Sequence, residues 1–319
     1  MVSDQLPLIC DIKQNSLDDG PGIRTVLFFK GCPLACVWCQ NPEAQGSHQQ
    51  LVFQPGKCIK CKECVPCTAG AITHSPIGLD RNACTMCLAC VDACPASVFK
   101  PAGTYYAIEE ILAMARQNKV FYANSGGGIT ISGGDPMLFP DYVLNLVNAL
   151  TVENIGIVLE TCGHFNLSTQ TRAILEKIQL IYYDVKLVDN RMHEQYTGVG
   201  NALILENLKV LIREDAVILP DRKDLLDFKK NVHEKPLLVP RIPLVPGITD
   251  TVENLKAAAE LFTSLGIVLI DVLPYNPLWI KKAETLGMPV KYDVSTWMDK
   301  AQLAAVRAAL DGFQFDRFK

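Results

Sequence analysis

"RTVLFFKGCPLACVWCQNPE", residues 24–43, joins an apolar run to a loop holding Cys32, Cys36 and Cys39 in the spacing C-x3-C-x2-C. The run reads as a strand at 24–30, since β-branched and aromatic residues dominate it. Thiols gathered directly beyond a strand read as metal ligands. A four-iron cube takes one ligand per iron, so three thiolates leave one iron open to an outside ligand. An open iron implies chemistry rather than electron storage. Zinc held by three cysteines and a water is the competing reading. None of His48, His74, His164, His193 and His233 shows ligand spacing to support it.

Working outward, apolar β-branched runs alternate with amphipathic segments. The spacing predicts strands at 24–30, 129–133, 155–160, 180–185, 237–242 and 267–273, and helices within 108–120, 139–151, 168–178, 201–213, 251–265 and 296–311. Such alternation builds βα units around a parallel sheet. Six units fall short of a full eight-fold barrel, so the expected fold is α/β, a partial (β/α)6 TIM-like barrel; an open doubly wound sheet is second. The polar exceptions fall where each strand ends: the cysteine loop, "SGGDP" (132–136), "ETCG" (160–163), "DVK" (184–186), "RIPLVPG" (241–247) and "LPYN" (273–276). In a parallel barrel those ends converge on one face, where active sites lie.

Residues 50–103 break the pattern and carry eight of the 13 cysteines. Cys84, Cys87, Cys90 and Cys94 follow C-x2-C-x2-C-x3-C-P, the bacterial ferredoxin run in which the fourth cysteine ligates the other cluster. Cys58, Cys61, Cys64 and Cys67 form a related run with a shorter last gap and no following proline. The pseudo-repeat predicts one [4Fe–4S] cluster on Cys58, Cys61, Cys64 and Cys94, and a second on Cys84, Cys87, Cys90 and Cys67. Structural zinc is the alternative. The expected domains are therefore a barrel of 1–49 and 104–319, and a ferredoxin-like two-cluster insertion at 50–103. Cys10 and Cys162 stand apart and read as buried free thiols. The stretch 214–236 reads as a charged excursion, either a solvated loop or a partner-docking element.

Composition restricts the setting. The chain has 319 residues, a formal net charge of −4 and 49% hydrophobic residues, enough for a large core. Lys and Arg are scattered among Asp and Glu without the basic stripe that a nucleic-acid backbone demands. No secretion signal and no run of about 18 apolar residues is present. Clustered cysteines in such a chain point to metal binding in the reducing cytoplasm rather than to disulfides.

"DGPGIRTVLFFKGCPLACVWCQNPE" (19–43), with "SGGDP", "DVK", "HEQYTGV" (193–199) and "RIPLVPG", resembles the radical S-adenosylmethionine superfamily and, within it, the activating enzymes of glycyl radical enzymes. The likeness spans the chain, and the insertion is similar to that of the larger members. It implies that the amine and carboxylate of S-adenosylmethionine chelate the open iron on Cys32, Cys36 and Cys39. One electron then splits the sulfonium into methionine and a 5′-deoxyadenosyl radical, which abstracts a Cα hydrogen from a glycine of a partner enzyme. Reduced ferredoxin or flavodoxin would feed electrons through the insertion, for three [4Fe–4S] clusters in all.

The same resemblance assigns roles. Trp38 packs beside cluster and adenine, or serves the core alone. Ser132, Gly133 and Gly134 let backbone approach the methionine, and Asp135, where relatives carry Glu, binds its ammonium; the bare alternative is a turn. Glu160, Thr161 and Asp184 lie at ribose and monovalent-cation contacts, and Lys186 points at the cofactor; an Asp184–Lys186 salt bridge is the plain reading. Arg241 grips the methionine carboxylate, Asn276 reaches the ribose, and Asp19 holds the incoming glycine loop unless "DGPG" is only a turn. An iron–sulfur electron carrier, or a radical enzyme acting on a small molecule, is the functional alternative. Among partners, "GGDP" inclines toward aromatic-acid decarboxylases or fumarate-adding enzymes.

Overall fold

Six parallel strands, Arg24–Phe29, Gly128–Gly133, Gly156–Thr161, Leu180–Asp184, Leu237–Pro243 and Leu269–Leu273, lie side by side in the order of the chain. This comes from a computed structural model, which describes residues 6–64, 67–219, 221–226 and 235–316. The strand order never reverses, so the doubly wound alternative is excluded. All six strands begin and end close to where the periodicity set them. Residues of both orientations along them are buried, Val26 and Leu27, Val158 and Leu159, Ile181 and Tyr182 among them. A parallel sheet covered on both faces has that composition.

The helices on the outer face carry their apolar residues in one stripe. In Ile108–Ser125 the buried positions are Ile111, Leu112, Ala115, Asn118 and Tyr122, three to four residues apart as a core-facing stripe requires. Side-chain caps start several helices: Ser168 accepts from Thr171 N, Thr251 from Asn254 N, and Asp299 from Gln302 N.

Some elements escaped the sequence reading. Leu8–Ser16 runs antiparallel to Arg24–Phe29 and pairs on its other side with Thr104–Tyr105. With Gln314–Phe315 and Val217–Ile218 the sheet is mixed and has ten strands. The first strand was missed because only Leu8, Ile9 and Ser16 are buried along it, so no alternation shows. Helices Asn190–Thr197 and Trp279–Leu286 were also missed; Asp189 as N-cap, Gly198 and Gly287 in left-handed conformation were the available signals.

The charged excursion needs correction. Its described part holds Val217–Ile218, paired with Leu237–Pro243, and the short helix Arg222–Leu226. Leu219 and Leu225 are each 2% exposed and pack with Val158, Leu180, Tyr182, Leu237, Val239 and Leu269. Those strand residues belong to the starts and middles of the parallel strands, so this stretch is core at the end opposite the functional motifs rather than a solvated loop. Residues 220 and 227–234 lie outside the described residues.

Residues 50–103 form two antiparallel pairs, Gln50–Phe53 with Phe99–Ala102 and Ile72–His74 with Ile77–Leu79, plus the short helix Ala89–Ala93. Leu51, Cys64, Ile72, Val98 and Phe99 make an apolar cluster of their own. The two cysteine runs share one backbone device. Lys60 and Lys62 in the first, and Met86 and Leu88 in the second, have φ of +61°, +63°, +55° and +62°. Left-handed residues between successive cysteines curl each run around a centre, at a cost of roughly 1–2 kcal/mol per residue. Arg81 joins this segment to the rest, donating to Leu51 O at 2.6 Å and to Thr285 O at 2.8 Å.

Candidate active site at the strand ends

The strand-end loops surround a cavity of about 520 Å³. Cys32, Cys36 and Cys39 line it, and their loop is held from several sides. Gly31 N donates to Ala44 O at 2.8 Å and Cys32 N to Gln45 O at 3.1 Å. Ala35 N and Val37 N donate to Thr197 O (2.7 Å) and Tyr196 O (3.0 Å), so the "HEQYTGV" segment forms a rest for the loop. Buried Lys30 donates to Glu43 O, and Lys282 Nζ to Glu43 Oε1 at 2.8 Å. Burial pushes the Cys39 thiol up to about 12 and Cys36 higher still. Such thiols surrender protons to a metal cation, which supplies the charge that the low-dielectric surroundings lack. The neighbouring Cys162 thiol lowers Cys32, and Cys162 is itself raised by Cys32 and by burial. The donor set fits a metal cluster at this loop.

Along the same cavity runs a line of alternating charge, Arg241 buried and Glu160, Asp184 and Lys186 half-buried. Ser132 Oγ donates to Glu160 Oε2 at 2.5 Å; Arg241 donates through Nη1 to Glu160 Oε1 at 2.5 Å and through Nε to Asp184 Oδ1 at 2.8 Å. Lys186 Nζ reaches Asp184 Oδ2 at 3.1 Å. The Arg241 guanidinium also lies over the Tyr182 ring, 5.0 Å from its centroid. Burial alone would raise Asp184, but Arg241 and Lys186 outweigh it and hold the carboxylate below its ordinary value. Burial would likewise lower Lys186 and Arg241, yet Asp184 raises the first, and Asp184 with Glu160 the second. Two cations and two anions side by side make a face complementary to a zwitterion.

Asp135 does not join that face. It is 1% exposed and accepts from Thr161 Oγ1 at 2.8 Å, Cys162 N and Cys162 Sγ at 2.9 Å, and Met137 N at 3.0 Å. In this conformation its carboxylate is engaged by those four donors and is not among the groups that line the cavity. Burial keeps it above its usual range although four donors pull it down. Cys162, read as an isolated core thiol, is buried but borders the cavity.

The glycines have a nearer reason than cofactor approach. A methyl on Gly134 would stand 2.0 Å from Gly31 O, and one on Gly133, at φ +113°, would stand 2.2 Å from Phe29 N. The cysteine loop and its strand therefore exclude any side chain there.

Trp38 is buried with Leu187, Val245, Tyr275 and Trp279, and one edge meets the cavity. Asn276 borders it too, but its Oδ1 accepts from Leu278 N at 2.9 Å, a helix-start contact. Asp19 stands at the rim beside Lys13 and Asp18, its Oδ2 accepting from Ser16 Oγ and from Lys13 Nζ at 3.4 Å. Sequence reasoning missed Arg24, wholly buried, which donates to Pro21 O, Thr130 Oγ1, Ile129 O and Gly156 O and so anchors the "DGPG" turn. It also missed Gln45, whose Nε2 donates to Cys36 O at 3.0 Å. Arg24 sits in a segment quoted above and Gln45 two residues past its end, but only folding shows what they hold.

In the insertion, Cys58, Cys61, Cys64 and Cys94 border one cavity of about 120 Å³ together with His74. Cys67, Cys84, Cys87 and Cys90 border a second, which Cys64 also touches. Backbone N–H groups turn to the sulfurs, Lys60 N to Cys58 Sγ and Val98 N to Cys94 Sγ at 3.4 Å.

Residues 26–215 match the model of the Radical SAM superfamily. The chain belongs to the radical SAM superfamily. Within it, its relatives are activating enzymes of glycyl radical enzymes. The isethionate sulfite-lyase activating enzyme of Oleidesulfovibrio alaskensis is 38% identical over 85% of this chain and 84% of its own. The choline trimethylamine-lyase activating enzyme of the same organism is 33% identical over 97% of this chain and 96% of its own. The indoleacetate decarboxylase activating enzyme of Tractidigestivibacter scatoligenes is 34% identical over 88% and 86%. The resemblance drawn from the motifs is thus borne out. This radical SAM enzyme uses S-adenosylmethionine and a [4Fe–4S] cluster, as its family implies. Among its described residues no helix is long and apolar enough to cross a membrane.

Proposed function

We propose that this chain is a glycyl-radical-enzyme activase whose cube sits on Cys32, Cys36 and Cys39, on the open face of a partial (β/α)6 barrel. The observation that carries the reading is the zwitterion-complementary line of Glu160, Arg241, Asp184 and Lys186 sharing one cavity with three metal-hungry thiols. When bound, cluster and S-adenosylmethionine supply the one-electron cleavage that yields methionine and a 5′-deoxyadenosyl radical, which takes a Cα hydrogen from the partner's glycine.

The chain's residues do the rest. Arg241 and Lys186 orient the methionine carboxylate while Glu160 and Asp184 balance them, so a zwitterion enters without leaving a buried charge unpaired. Ser132 fixes the Glu160 rotamer, and Trp38 and Leu34 exclude water from the thiols. Asp135 acts beneath the site, tying the Thr161–Cys162 turn to the glycine loop. The inclination of "GGDP" toward aromatic-acid decarboxylases or fumarate-adding enzymes stays part of this proposal, and activating enzymes of indoleacetate decarboxylase, isethionate sulfite-lyase and choline trimethylamine-lyase are all among the relatives. Asp19, with Lys13 and Asp18 at the rim, meets the incoming peptide. Residues 50–103 form a ferredoxin-like domain with two further cubes that receives electrons from a reduced carrier protein in the cytoplasm.

The test is direct. Anaerobically reconstituted, photoreduced protein given S-adenosylmethionine is expected to release 5′-deoxyadenosine, and a glycyl radical enzyme added to it should gain a protein radical visible by electron paramagnetic resonance. A fully loaded protein that releases no 5′-deoxyadenosine would be an electron carrier instead.

A further inference from the structure

The two cysteine runs of the insertion share a backbone but not a surface. Around Cys58, Cys61 and Cys64 stand Lys57, Lys60 and Lys62, all exposed, against one acidic neighbour in the run, Glu63. Ile59 is 65% exposed and Cys61 is exposed among those lysines. The second run, residues 80–95, carries only Asp80, Arg81 and Asp92. Its single cation is turned inward, since Arg81 is spent on Leu51 O and Thr285 O. Thr285 belongs to helix Trp279–Leu286, whose Lys282 reaches Gln40 O at 3.3 Å and Glu43 Oε1 at 2.8 Å, on the loop of the three thiols. The Cys84 run is therefore the side of the insertion latched to the cavity, and the lysine-rimmed run offers charge to solvent.

We infer that Lys57, Lys60 and Lys62, ringing Ile59 and Cys61, form the docking surface for an acidic protein that carries a low-potential one-electron centre. The inference rests on the reading of residues 50–103 as a two-cluster domain. An apolar centre with a like-charged rim is the anatomy of a transient protein contact. Complementary charge accelerates encounter and orients the partner without holding it long, which suits a carrier that must leave after one electron. Exposed Cys61 brings a ligand of the outer cluster to the surface, where the distance between the two redox centres is shortest. From there Cys64, which borders both insertion cavities, adjoins the second cluster, and the Arg81 latch leads toward the barrel.

The experiment compares the reconstituted wild-type chain with Lys57→Glu/Lys60→Glu/Lys62→Glu, and with a control reversal of Lys177, Lys209 and Lys256 elsewhere on the surface. Each is reduced either by a photoreduced small acidic ferredoxin or by reduced methyl viologen, and 5′-deoxyadenosine release is followed at low and at high salt. The expected result is a fall of roughly tenfold or more in the ferredoxin-driven rate at low salt, shrinking as salt screens the wild type. The viologen-driven rate, the iron content and the potential of the cluster on Cys32, Cys36 and Cys39, measured by redox titration, should stay at wild-type values, while the insertion cluster flanked by the reversed charges falls in potential at every salt concentration. An unchanged ferredoxin rate in a chain holding iron for three cubes would overturn the docking surface alone. Iron for one cube in the wild type would overturn the two-cluster reading, and the docking surface with it.

Discussion

The cysteine loop at 32–39 and the cysteine runs of the insertion use the same ligand in opposite ways. Each insertion run bends around its own centre by left-handed residues within the run and brings one thiol fully to the surface, Cys61 in the first and Cys87 in the second. The loop at 32–39 has no such internal device. It hangs on distant partners, Thr197 and Tyr196, Gln45, Lys30 and Lys282, and its half-buried thiols line a cavity shared with charged side chains from three strands and their ends. A run that closes its own ligand shell can be carried as a module. A shell left open must be completed by the surroundings, so the fold invests its buried charges there.

Single thiols break the comparison most sharply. Cys36→Ala is expected to abolish 5′-deoxyadenosine formation and to remove iron for one cube, with the insertion's absorbance intact. Cys84→Ala should remove iron from the insertion yet leave dithionite-driven cleavage running, losing only the rate driven by a carrier protein. Equal loss in both variants, read by iron analysis and product chromatography, would mean that the two regions are not separable.

Next comes Arg241→Met, which leaves Glu160 and Asp184 buried without their shared cation. A cost of about 3–5 kcal/mol in stability is expected, along with weakened S-adenosylmethionine binding by calorimetry. Acid should be the condition that narrows the gap. Asp184 is held below its ordinary value in the wild type, so its contribution is full above the usual carboxylate range and is lost as pH falls through the depressed value. The stability difference between wild type and variant should therefore shrink on acidification.

A smaller effect is set by packing. Gly134→Ala places a methyl against Gly31 O, and about 1–3 kcal/mol of destabilisation is expected in thermal melts. Smallest is Leu88→Gly in the insertion. It relieves a left-handed non-glycine residue at φ +62°, and should move stability by no more than about 1 kcal/mol, because glycine's freedom in the unfolded chain offsets part of the relief. A large change there would mean that the leucine side chain, rather than the backbone curl, holds the run together.

Much of this was legible before folding. The parallel strands announced themselves by uninterrupted β-branched runs, and the motif at each strand end by polar residues that the runs do not otherwise tolerate. Leu8–Ser16 did not, for it is half exposed and lacks alternation. The stretch 214–226 misled through its charges, since Leu219 and Leu225 supply the buried contacts while their neighbours stay in water. At Asp135 the motif stops short: in "SGGDP" it stands among residues that border the cavity, and only folding gives its carboxylate Thr161 and Cys162 as partners.

What the chain alone determined is local: cysteine spacing, strand and helix periods, and the family written in residues 19–43. These depend on covalent neighbours, and a sequence lists neighbours. Only the tertiary structure decided which residues from separate strands share a buried space, whether Asp135 against Cys162 or Arg241 between Glu160 and Asp184. The direction of a side chain and the charge that answers it are properties of packing, and packing joins residues that the sequence keeps far apart.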